Sequence, residues 1–331
     1  MRVHSSAPTR IDLAGGTLDI WPLYLFHENA QTLNAAITLR AECTLCESTD
    51  GRLHVLSEDT RTSVDVANWH ELGDHSDLRL ITCILRFFQV DGINITTRSG
   101  SPLGAGLAGS SALNIALCGA LARWQGATYD AESLIQIALN LEAQVIGIPT
   151  GCQDYRPAMY GGLSALEMGP GGITRMPLTV EPHEIEARLV LAYTGESRDS
   201  SINNWEVTKR HLDRDAQITT LFDQIRDVAA GMRLALETRN WPEVGRHLDL
   251  DWELRKRLAP GVSTERIDTL VIRARRAGAR AAKICGAGGG GCLILFADPP
   301  DVPAVKREIS KAGATLLDYR IDPDGLRVVT E

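Results

Sequence analysis

The apolar and polar positions of the first hundred residues alternate mostly as they do in strands. Residues Thr32 to Cys46 repeat with a period of two, and shorter alternating runs precede and follow them. Ala14-Gly15-Gly16 interrupts the pattern after the first two runs. The predicted strands of this part are Val3 to Ala7, Arg10 to Leu13, Thr32 to Cys46, Arg52 to Leu56 and Ser63 to Val66.

Helical spacing appears first between Asp77 and Val90, where leucine, isoleucine and phenylalanine recur every three or four residues. A strand is predicted at 93–97 and a helix from Ala112 to Arg123. Asp130 is a good N-cap for a further helix through about Val145, which leaves Glu142 beside the apolar face near its end.

The second half begins with the buried-type strand Leu189 to Tyr193 and is then mostly helical. Helices are predicted near 215–237, 242–258, 264–277 and 302–312, and strands at 279–285, 292–297, 314–321 and 326–330. This order suits a ferredoxin-like α+β sandwich. Turn residues around Pro170 and Pro182 place the domain boundary near 180, which gives an N-terminal domain 1–180 and a C-terminal domain 181–331.

Composition and residue patterns argue against a nucleic-acid-binding protein, a membrane-spanning protein and a zinc protein. The 331 residues have a formal net charge of −8, which argues against a nucleic-acid-binding protein. No apolar run reaches the roughly 18 residues that span a bilayer, and the N-terminal residues lack the apolar segment of a signal peptide. We therefore expect a soluble cytoplasmic protein without a membrane partner. Cys43 and Cys46 lack a second pair of ligands, so zinc is not expected.

The stretch Ser101 to Ala112 is the strongest candidate for a binding loop. Its three glycines and three serines lie between a strand and a helix, where backbone N–H groups and the helix dipole favour a phosphate group. The stretch also contains G-x-G-x-x-G, but the acidic residue about 20 positions later, Asp130, opens a helix, so a dinucleotide enzyme is poorly supported. A Walker A lysine is missing. A serine-ended phosphate loop remains.

A second glycine run and two carboxylates are further candidates. Gly286 to Gly291 holds five glycines between two strands, more than a hairpin needs, which indicates close approach of backbone to another group, although a plain hairpin stays an alternative. Asp154 follows a helix break in a loop, as a catalytic carboxylate often does. Glu142 suits a hard metal ion. For each carboxylate taken alone, a solvated surface residue is the favoured interpretation.

Together these residues resemble the GHMP family of small-molecule kinases, which includes galactokinase, homoserine kinase and mevalonate kinase. Three blocks match in the family's order: Arg10 to Asp19, Pro102 to Ala112, and Lys283 to Cys292. The loop Gly106-Leu107-Ala108-Gly109-Ser110-Ser111 and the Gly151 to Asp154 segment are similar to kinases of D-glycero-D-manno-heptose 7-phosphate. The resemblance implies two domains, a ribosomal protein S5 domain 2-like N-terminal domain and a ferredoxin-like C-terminal domain.

The resemblance also implies roles for individual residues. Asp154 and Arg10 would be catalytic, and Ser111 with Glu142 would hold Mg²⁺. The residues expected to bind ATP are Pro102, Gly104, Ala105, Gly106, Leu107, Ala108, Gly109, Ser110 and Ser111. The residues expected to bind the substrate are Gly15, Gly16, Thr17, Asp19, Gly151, Arg198, Gly288 and Gly289.

The implied reaction is transfer of the γ-phosphoryl of ATP to a sugar hydroxyl, with the anomeric hydroxyl of heptose 7-phosphate as the first choice and a homodimer as a candidate assembly. Arg156, Arg198, Lys209 and Arg210 are candidates for the substrate phosphate. Fucose, galactose, a uronic acid or a catalytically silent binding role are the alternatives. Two residues depart from the family pattern: Ala108 replaces a glycine and would be strained at positive φ, and Thr17 changes the residue beside the substrate.

Overall fold

The computed structural model describes residues 1–73, 76–196 and 201–331, without the side chains of 201–203. Its strands are β1 (Arg2–Ala14), β2 (Ala30–Glu47), β3 (Leu53–Ser57), β4 (Thr62–Val66), β5 (Ile93–Ser99), β6 (Leu163–Gly169), β7 (Gly172–Pro177), β8 (Leu189–Tyr193), β9 (Ala279–Ile284), β10 (Cys292–Ala297), β11 (Thr315–Leu316) and β12 (Arg327–Thr330). Its α-helices are α1 (Arg79–Phe88), α2 (Gly109–Trp124), α3 (Ala131–Ile146), α4 (Tyr155–Tyr160), α5 (Pro182–Glu186), α6 (Ser201–Leu212), α7 (Ala216–Glu237), α8 (Trp241–Lys256), α9 (Glu265–Arg276) and α10 (Val302–Lys311).

The first sheet has eight strands built around two long ones. Its order is β12-β1-β2-β5-β3-β4, and β6 pairs with the remaining length of β2 and with β7. The two N-terminal runs predicted separately form one strand, β1, because a register shift between Pro8 and Thr9 accommodates the proline. Helix α2 packs on β1 and β2 and is buried over most of its length, so it forms the centre of this unit.

The second sheet is antiparallel, with the order β11-β8-β10-β9, and helices α8, α9 and α10 pack on it. The strand predicted near 314–321 is only Thr315–Leu316. The chain then returns to the first sheet, because Ile321 pairs with Ile37 and β12 pairs with β1. The boundary near 180 stays a prediction. The last residues, which were assigned to the C-terminal domain, complete the N-terminal sheet instead.

A buried ion cluster joins the two sheets. The Nζ of Lys283 on β9 lies 2.8 Å from Asp12 Oδ1 on β1 and 2.7 Å from Asp251 Oδ2 on α8. Arg255, also on α8, donates through Nη1 to Asp12 Oδ2 at 3.0 Å. Burial alone would raise the pKa of Asp12, but Lys283, Arg255 and Arg10 hold it below its ordinary value. Two cations therefore balance two carboxylates without solvent.

We expect Lys283→Met to lower the free energy of unfolding by about 3–5 kcal/mol, because it leaves Asp251 buried without a cation and leaves Asp12 with Arg255 as its remaining partner in the cluster. Urea unfolding followed by circular dichroism measures this loss. Lys256→Met is the matched control, since the partly exposed Lys256 pairs with Glu253 within one helix, and its removal should cost about 0–1 kcal/mol. Equal losses in the two variants would contradict a structural role for the cluster.

Candidate active site

A cleft of about 430 Å³ lies where four segments meet. The segments are the turn after β1, the loop between β5 and α2, the residues before α4, and the glycine run between β9 and β10. Asn204 of α6 lines one side. This volume is within the range of small-molecule sites.

The loop between β5 and α2 has the backbone expected of a phosphate loop. Gly104, Gly106 and Ala108 all have positive φ, and α2 starts at Gly109 without a side-chain cap on its first N–H groups. Free N–H groups at the start of a long helix favour an anion. The predicted ATP-binding residues that line the cleft are Pro102, Gly104, Gly106, Leu107, Ala108, Gly109 and Ser110.

Ala105 and Ser111 are the two predicted ATP-binding residues that lie behind the loop. Ala105 is buried, and its carbonyl accepts the N–H of Cys292 at 2.7 Å. Ser111 is buried and its Oγ donates to Glu142 Oε2 at 2.9 Å. In the described structure both residues support the loop rather than line the cleft.

The second glycine run packs backbone to backbone against this loop. A Cβ at Gly106 would lie 2.3 Å from the carbonyl oxygen of Cys285, and one at Gly286 would lie 2.9 Å from the Cα of Gly106. Real side chains do not tolerate such distances. The close approach that the five glycines indicated is therefore an approach to the phosphate loop. Of the two glycines in this run that were predicted to bind substrate, Gly288 lines the cleft, whereas Gly289 donates its N–H to the carbonyl of Val262.

Arg10 holds Asp154 and touches the phosphate loop at the same time. Its Nε and Nη2 donate to Asp154 Oδ1 at 2.8 and 2.5 Å, and its Nη1 donates to the carbonyl of Gly106 at 2.7 Å. Burial opposes the charge of Arg10, but Asp154 and Asp12 together raise its pKa above the ordinary value. Both guanidinium bonds to Asp154 use Oδ1, so Oδ2 has no donor among the described residues.

Asp19 lies beside this pair and is 1% exposed. Its carboxylate accepts the N–H groups of Thr17 and Gln153 at 3.1 and 3.0 Å. Burial first, and the charge of Asp154 second, raise the pKa of Asp19 to about 6. A Cβ at Gly151 would lie 2.1 Å from Asp19 Oδ2, which explains the glycine there. Thr17, Asp19 and Gly151 all line the cleft, and their role in substrate binding stays a prediction.

Gly15 and Gly16 lie elsewhere than predicted. The N–H of Gly15 donates to Asp251 Oδ1 at 2.9 Å, and a Cβ at Gly16 would lie 2.5 Å from Asp12 Oδ2. Both glycines pack on the buried ion cluster and neither lines the cleft, because the turn after β1 folds inward. Arg198, the remaining predicted substrate residue, lies outside the described residues.

Glu142 accepts hydrogen bonds from three hydroxyl groups. It accepts from Ser110 Oγ at 2.6 Å, from Ser111 Oγ at 2.9 Å and from the hydroxyl of Tyr155 at 2.7 Å. Burial raises the pKa of Glu142 above its ordinary value in spite of these bonds. The oxygen donors fit a hard cation such as Mg²⁺. Of the two serines predicted to bind ATP, Ser110 lines the cleft and Ser111 lies behind it, and the role of Ser111 as a Mg²⁺ ligand stays a prediction.

The sequence reasoning missed several residues. Asp12 lies two positions after Arg10 on the same strand, so the alternation of β1 placed both side chains on one face. Lys283 lies three positions before Gly286, the first residue of the second glycine run. No local signal marked Asp251 or Arg255, since α8 gave no motif. Ser57, Asp59 and Thr60 also line the cleft, together with the apolar residues Leu78, Leu80 and Ile81, and this part of the cleft was not predicted.

Comparisons with known proteins agree with this geometry. The family model of the GHMP kinase N-terminal domain matches residues 78–162, and that of the GHMP kinase C-terminal domain matches 232–315. A mevalonate kinase from Thermococcus onnurineus is 30% identical over 246 residues, 72% of this chain and 69% of the relative. The chain belongs to the GHMP kinase family. It is therefore a phosphotransferase with a hydroxyl group as acceptor and ATP as phosphate donor.

Two further relatives cover nearly the whole kinase. A D-glycero-alpha-D-manno-heptose 7-phosphate kinase from Campylobacter jejuni is 27% identical over 335 residues, 98% of each chain. A crystal structure of a D-glycero-D-manno-heptose 1-phosphate kinase from Bacteriodes thetaiotaomicron superposes with a TM-score of 0.80, 24% identity and 99% coverage of both chains. The superposition confirms the two-domain GHMP kinase fold. Within the described part of the kinase, no helix has the length and apolarity to cross a membrane.

Ala108→Gly should stabilise this kinase by about 1 kcal/mol, because Ala108 has φ 60° and a left-handed Cβ costs roughly 1–2 kcal/mol. Chemical denaturation measures the change. Ala143→Gly, the same substitution inside α3, should destabilise by about 1 kcal/mol. Destabilisation by both substitutions would contradict a strained conformation at residue 108.

The value of kcat/KM for the acceptor should rise with pH through about 6, because Asp19 is protonated below that pH and ionised above it. An ionised Asp19 accepts hydrogen bonds more strongly than a protonated one. Steady-state kinetics from pH 5 to 8 measure this rise of kcat/KM, which forms the acidic limb of the pH profile. In Asp19→Asn the limb near pH 6 should disappear and kcat/KM at pH 8 should fall about 10–100-fold. A limb that persists in this variant would assign the titration to another group.

Proposed function

We propose that this kinase transfers the γ-phosphoryl of ATP to the anomeric hydroxyl of D-glycero-D-manno-heptose 7-phosphate, which gives the 1,7-bisphosphate. The observation that supports the chemistry best is the position of Arg10. One guanidinium group binds the carboxylate of Asp154 and the carbonyl of Gly106, so the base and the phosphate loop are held at a fixed separation. Phosphoryl transfer depends mainly on such positioning and on electrostatic stabilisation.

ATP would lie along the cleft with its phosphates on the free N–H groups at the start of α2. The nucleoside would extend toward Ser57, Asp59 and Thr60, where the Oγ1 of Thr60 is buried and has no partner among the described groups. Leu78 and Ile81 offer an apolar surface to the base. A bound Mg²⁺ supplies positive charge to the β- and γ-phosphates. Ser110 and Glu142 would hold it, with Glu142 acting directly or through water.

Asp154 would orient the acceptor hydroxyl through Oδ2 and take its proton. A carboxylate is a weak base for a sugar hydroxyl in the ground state. In a loose transition state the proton leaves late, when the oxygen already bonds to phosphorus and has become acidic. Arg10 binds the carboxylate and adds positive charge close to the transferred group. Asp19 would accept a second hydroxyl of the sugar.

The choice of heptose 7-phosphate rests on the likeness to the Campylobacter jejuni enzyme over the whole chain. A substrate phosphate needs a cation. Arg156 pairs with Glu132, Arg210 with Asp215 and Lys209 with Glu206, and these candidates do not line the described cleft. Arg198 remains a proposal outside the described residues.

A second candidate is a kinase of an unphosphorylated sugar. The described cations that line the cleft are Arg10 and Arg255, and each is paired with a carboxylate, Asp154 and Asp12 respectively. Asp19 adds a further negative charge above pH 6. Because both cations are already paired and Asp19 adds a negative charge, these residues favour a neutral polyol as the acceptor.

A panel of acceptors decides between the two. We expect ADP release with Mg²⁺-ATP to be fastest with heptose 7-phosphate among free sugars, sugar phosphates, mevalonate and homoserine. A free sugar as the best acceptor would support the second candidate, and absence of turnover with all acceptors would support a silent binding protein.

Asp154→Asn should lower kcat by about 10²–10⁴-fold, the usual contribution of a positioned base, with little change in KM for ATP. Initial rates of ADP release measure both constants. Asp213→Asn is the control, since Asp213 is exposed beyond the end of α6. Wild-type kcat in Asp154→Asn would remove Asp154 from the mechanism.

A further inference from the structure

The two carboxylate oxygens of Glu142 have different surroundings. Oε1 accepts one hydrogen bond from the described residues, from Ser110 Oγ at 2.6 Å, and Ser110 lines the cleft. Oε2 accepts from Ser111 Oγ at 2.9 Å and from the hydroxyl of Tyr155 at 2.7 Å. Ser111 and Tyr155 are both buried. The carboxylate is therefore anchored through Oε2, and its other oxygen lies beside the serine of the cleft.

Tyr155 connects this carboxylate to the segment that carries the base. It is the first residue of α4 and directly follows Asp154 in the chain, and α4 packs on α2 and α3. The side chain of Asp154 is held by Arg10, whereas that of Tyr155 is held by Glu142 of α3. One short piece of backbone thus makes contact with both Arg10 and Glu142.

Packing explains the ring of Tyr155 but not its hydroxyl group. The ring belongs to the hydrophobic core that α2 and α3 share, and phenylalanine would fill the same volume. A buried hydroxyl needs a partner. Thr150 Oγ1 lies 3.5 Å from it, at the outer limit of a hydrogen bond, so Glu142 is its close partner. The tyrosine therefore adds one contact that phenylalanine would lack, and that contact is with Glu142.

From these contacts we infer that Tyr155 is a positioning residue for phosphoryl transfer, whose hydroxyl holds Oε2 of Glu142 so that Oε1 and Ser110 Oγ are available to the metal ion. This inference rests on the proposed function, in which Ser110 and Glu142 hold Mg²⁺. Hydrogen bonds to a ligating carboxylate fix its orientation, and their loss lowers metal affinity or activity by about 10–100-fold.

The test removes the hydroxyl and measures what Mg²⁺ contributes to nucleotide binding. Tyr155→Phe keeps the buried ring. Calorimetry with AMP-PNP, an ATP analogue that the kinase does not turn over, gives one Kd in EDTA and one in Mg²⁺. We expect the ratio of the Kd in EDTA to the Kd in Mg²⁺ to fall about tenfold in the variant. The Kd in EDTA should stay at the wild-type value, because the phosphate loop itself is unchanged.

Steady-state kinetics give a second readout. With the best acceptor of the panel, kcat of Tyr155→Phe should fall about tenfold, and KM for that acceptor should not change. A general loss of folding would instead weaken the binding of acceptor and nucleotide together.

Tyr160→Phe is the matched control. Tyr160 ends the same helix, and its hydroxyl donates at 2.9 Å to Oε1 of Glu132, which also belongs to α3. Glu132 is 51% exposed, and neither residue lines the cleft. This variant should keep the wild-type ratio and the wild-type kcat.

Three results would overturn the inference: a wild-type ratio in Tyr155→Phe, equal losses in Tyr155→Phe and Tyr160→Phe, or a loss of affinity in EDTA as large as the loss in Mg²⁺. A wild-type protein that binds AMP-PNP equally in EDTA and in Mg²⁺ would overturn the proposed metal site and this inference with it. Nucleotide binding needs no acceptor, so an incorrect choice of heptose 7-phosphate and a failure of this inference appear in different measurements.

Discussion

The ion cluster of Asp12, Asp251, Arg255 and Lys283 is the constraint on which the rest of this kinase depends. Its four charged groups are 0–3% exposed, so none of them is solvated by bulk water and each must find its partner inside the protein. Asp12 belongs to the first sheet, whereas its partners come from α8 and β9. The second sheet and its helices therefore pack against β1 in the one position that balances all four charges.

That position brings the second glycine run against the phosphate loop. Gly106 and Gly286 meet at distances that exclude any Cβ, so the contact needs glycine on both sides. The N–H of Cys292 adds a hydrogen bond to Ala105 across the same contact. The phosphate loop is thus supported by backbone rather than by side chains, and its N–H groups remain free on the cleft side.

The three carboxylates around the cleft, Asp154, Asp19 and Glu142, differ in burial and in the charges and hydrogen bonds around them. Asp154 is held by Arg10 and is 24% exposed, as suits a group that meets the acceptor. Asp19 receives two backbone N–H groups but is more deeply buried, and its pKa is raised. Glu142 accepts hydrogen bonds from the hydroxyl groups of Ser110, Ser111 and Tyr155. Three acidic residues in one small volume therefore have three distinct environments.

The sequence alone predicted what depends on neighbouring residues. Asp130 caps α3 as expected, by accepting the N–H of Ser133, and the glycine-rich stretch lies between β5 and α2. The order of the glycine motifs identified the family, and the family comparisons confirmed it. These features are readable because caps, turns and periodicity act over a few residues.

The tertiary structure decided everything that depends on distant pairs. Lys283 meets Asp12 across 271 positions and Arg255 meets it across 243, and no local pattern marks such partners. Only the fold could show that Ser110 rather than Ser111 reaches the cleft, that Gly15 and Gly16 face the ion cluster, and that β12 returns to the first sheet. The strain expected at Ala108 depended on the sign of its φ, which the sequence did not give. In the folded structure this φ is positive. The physical reason is that a side chain's burial and charge partners are set by packing between elements, which the local sequence does not encode.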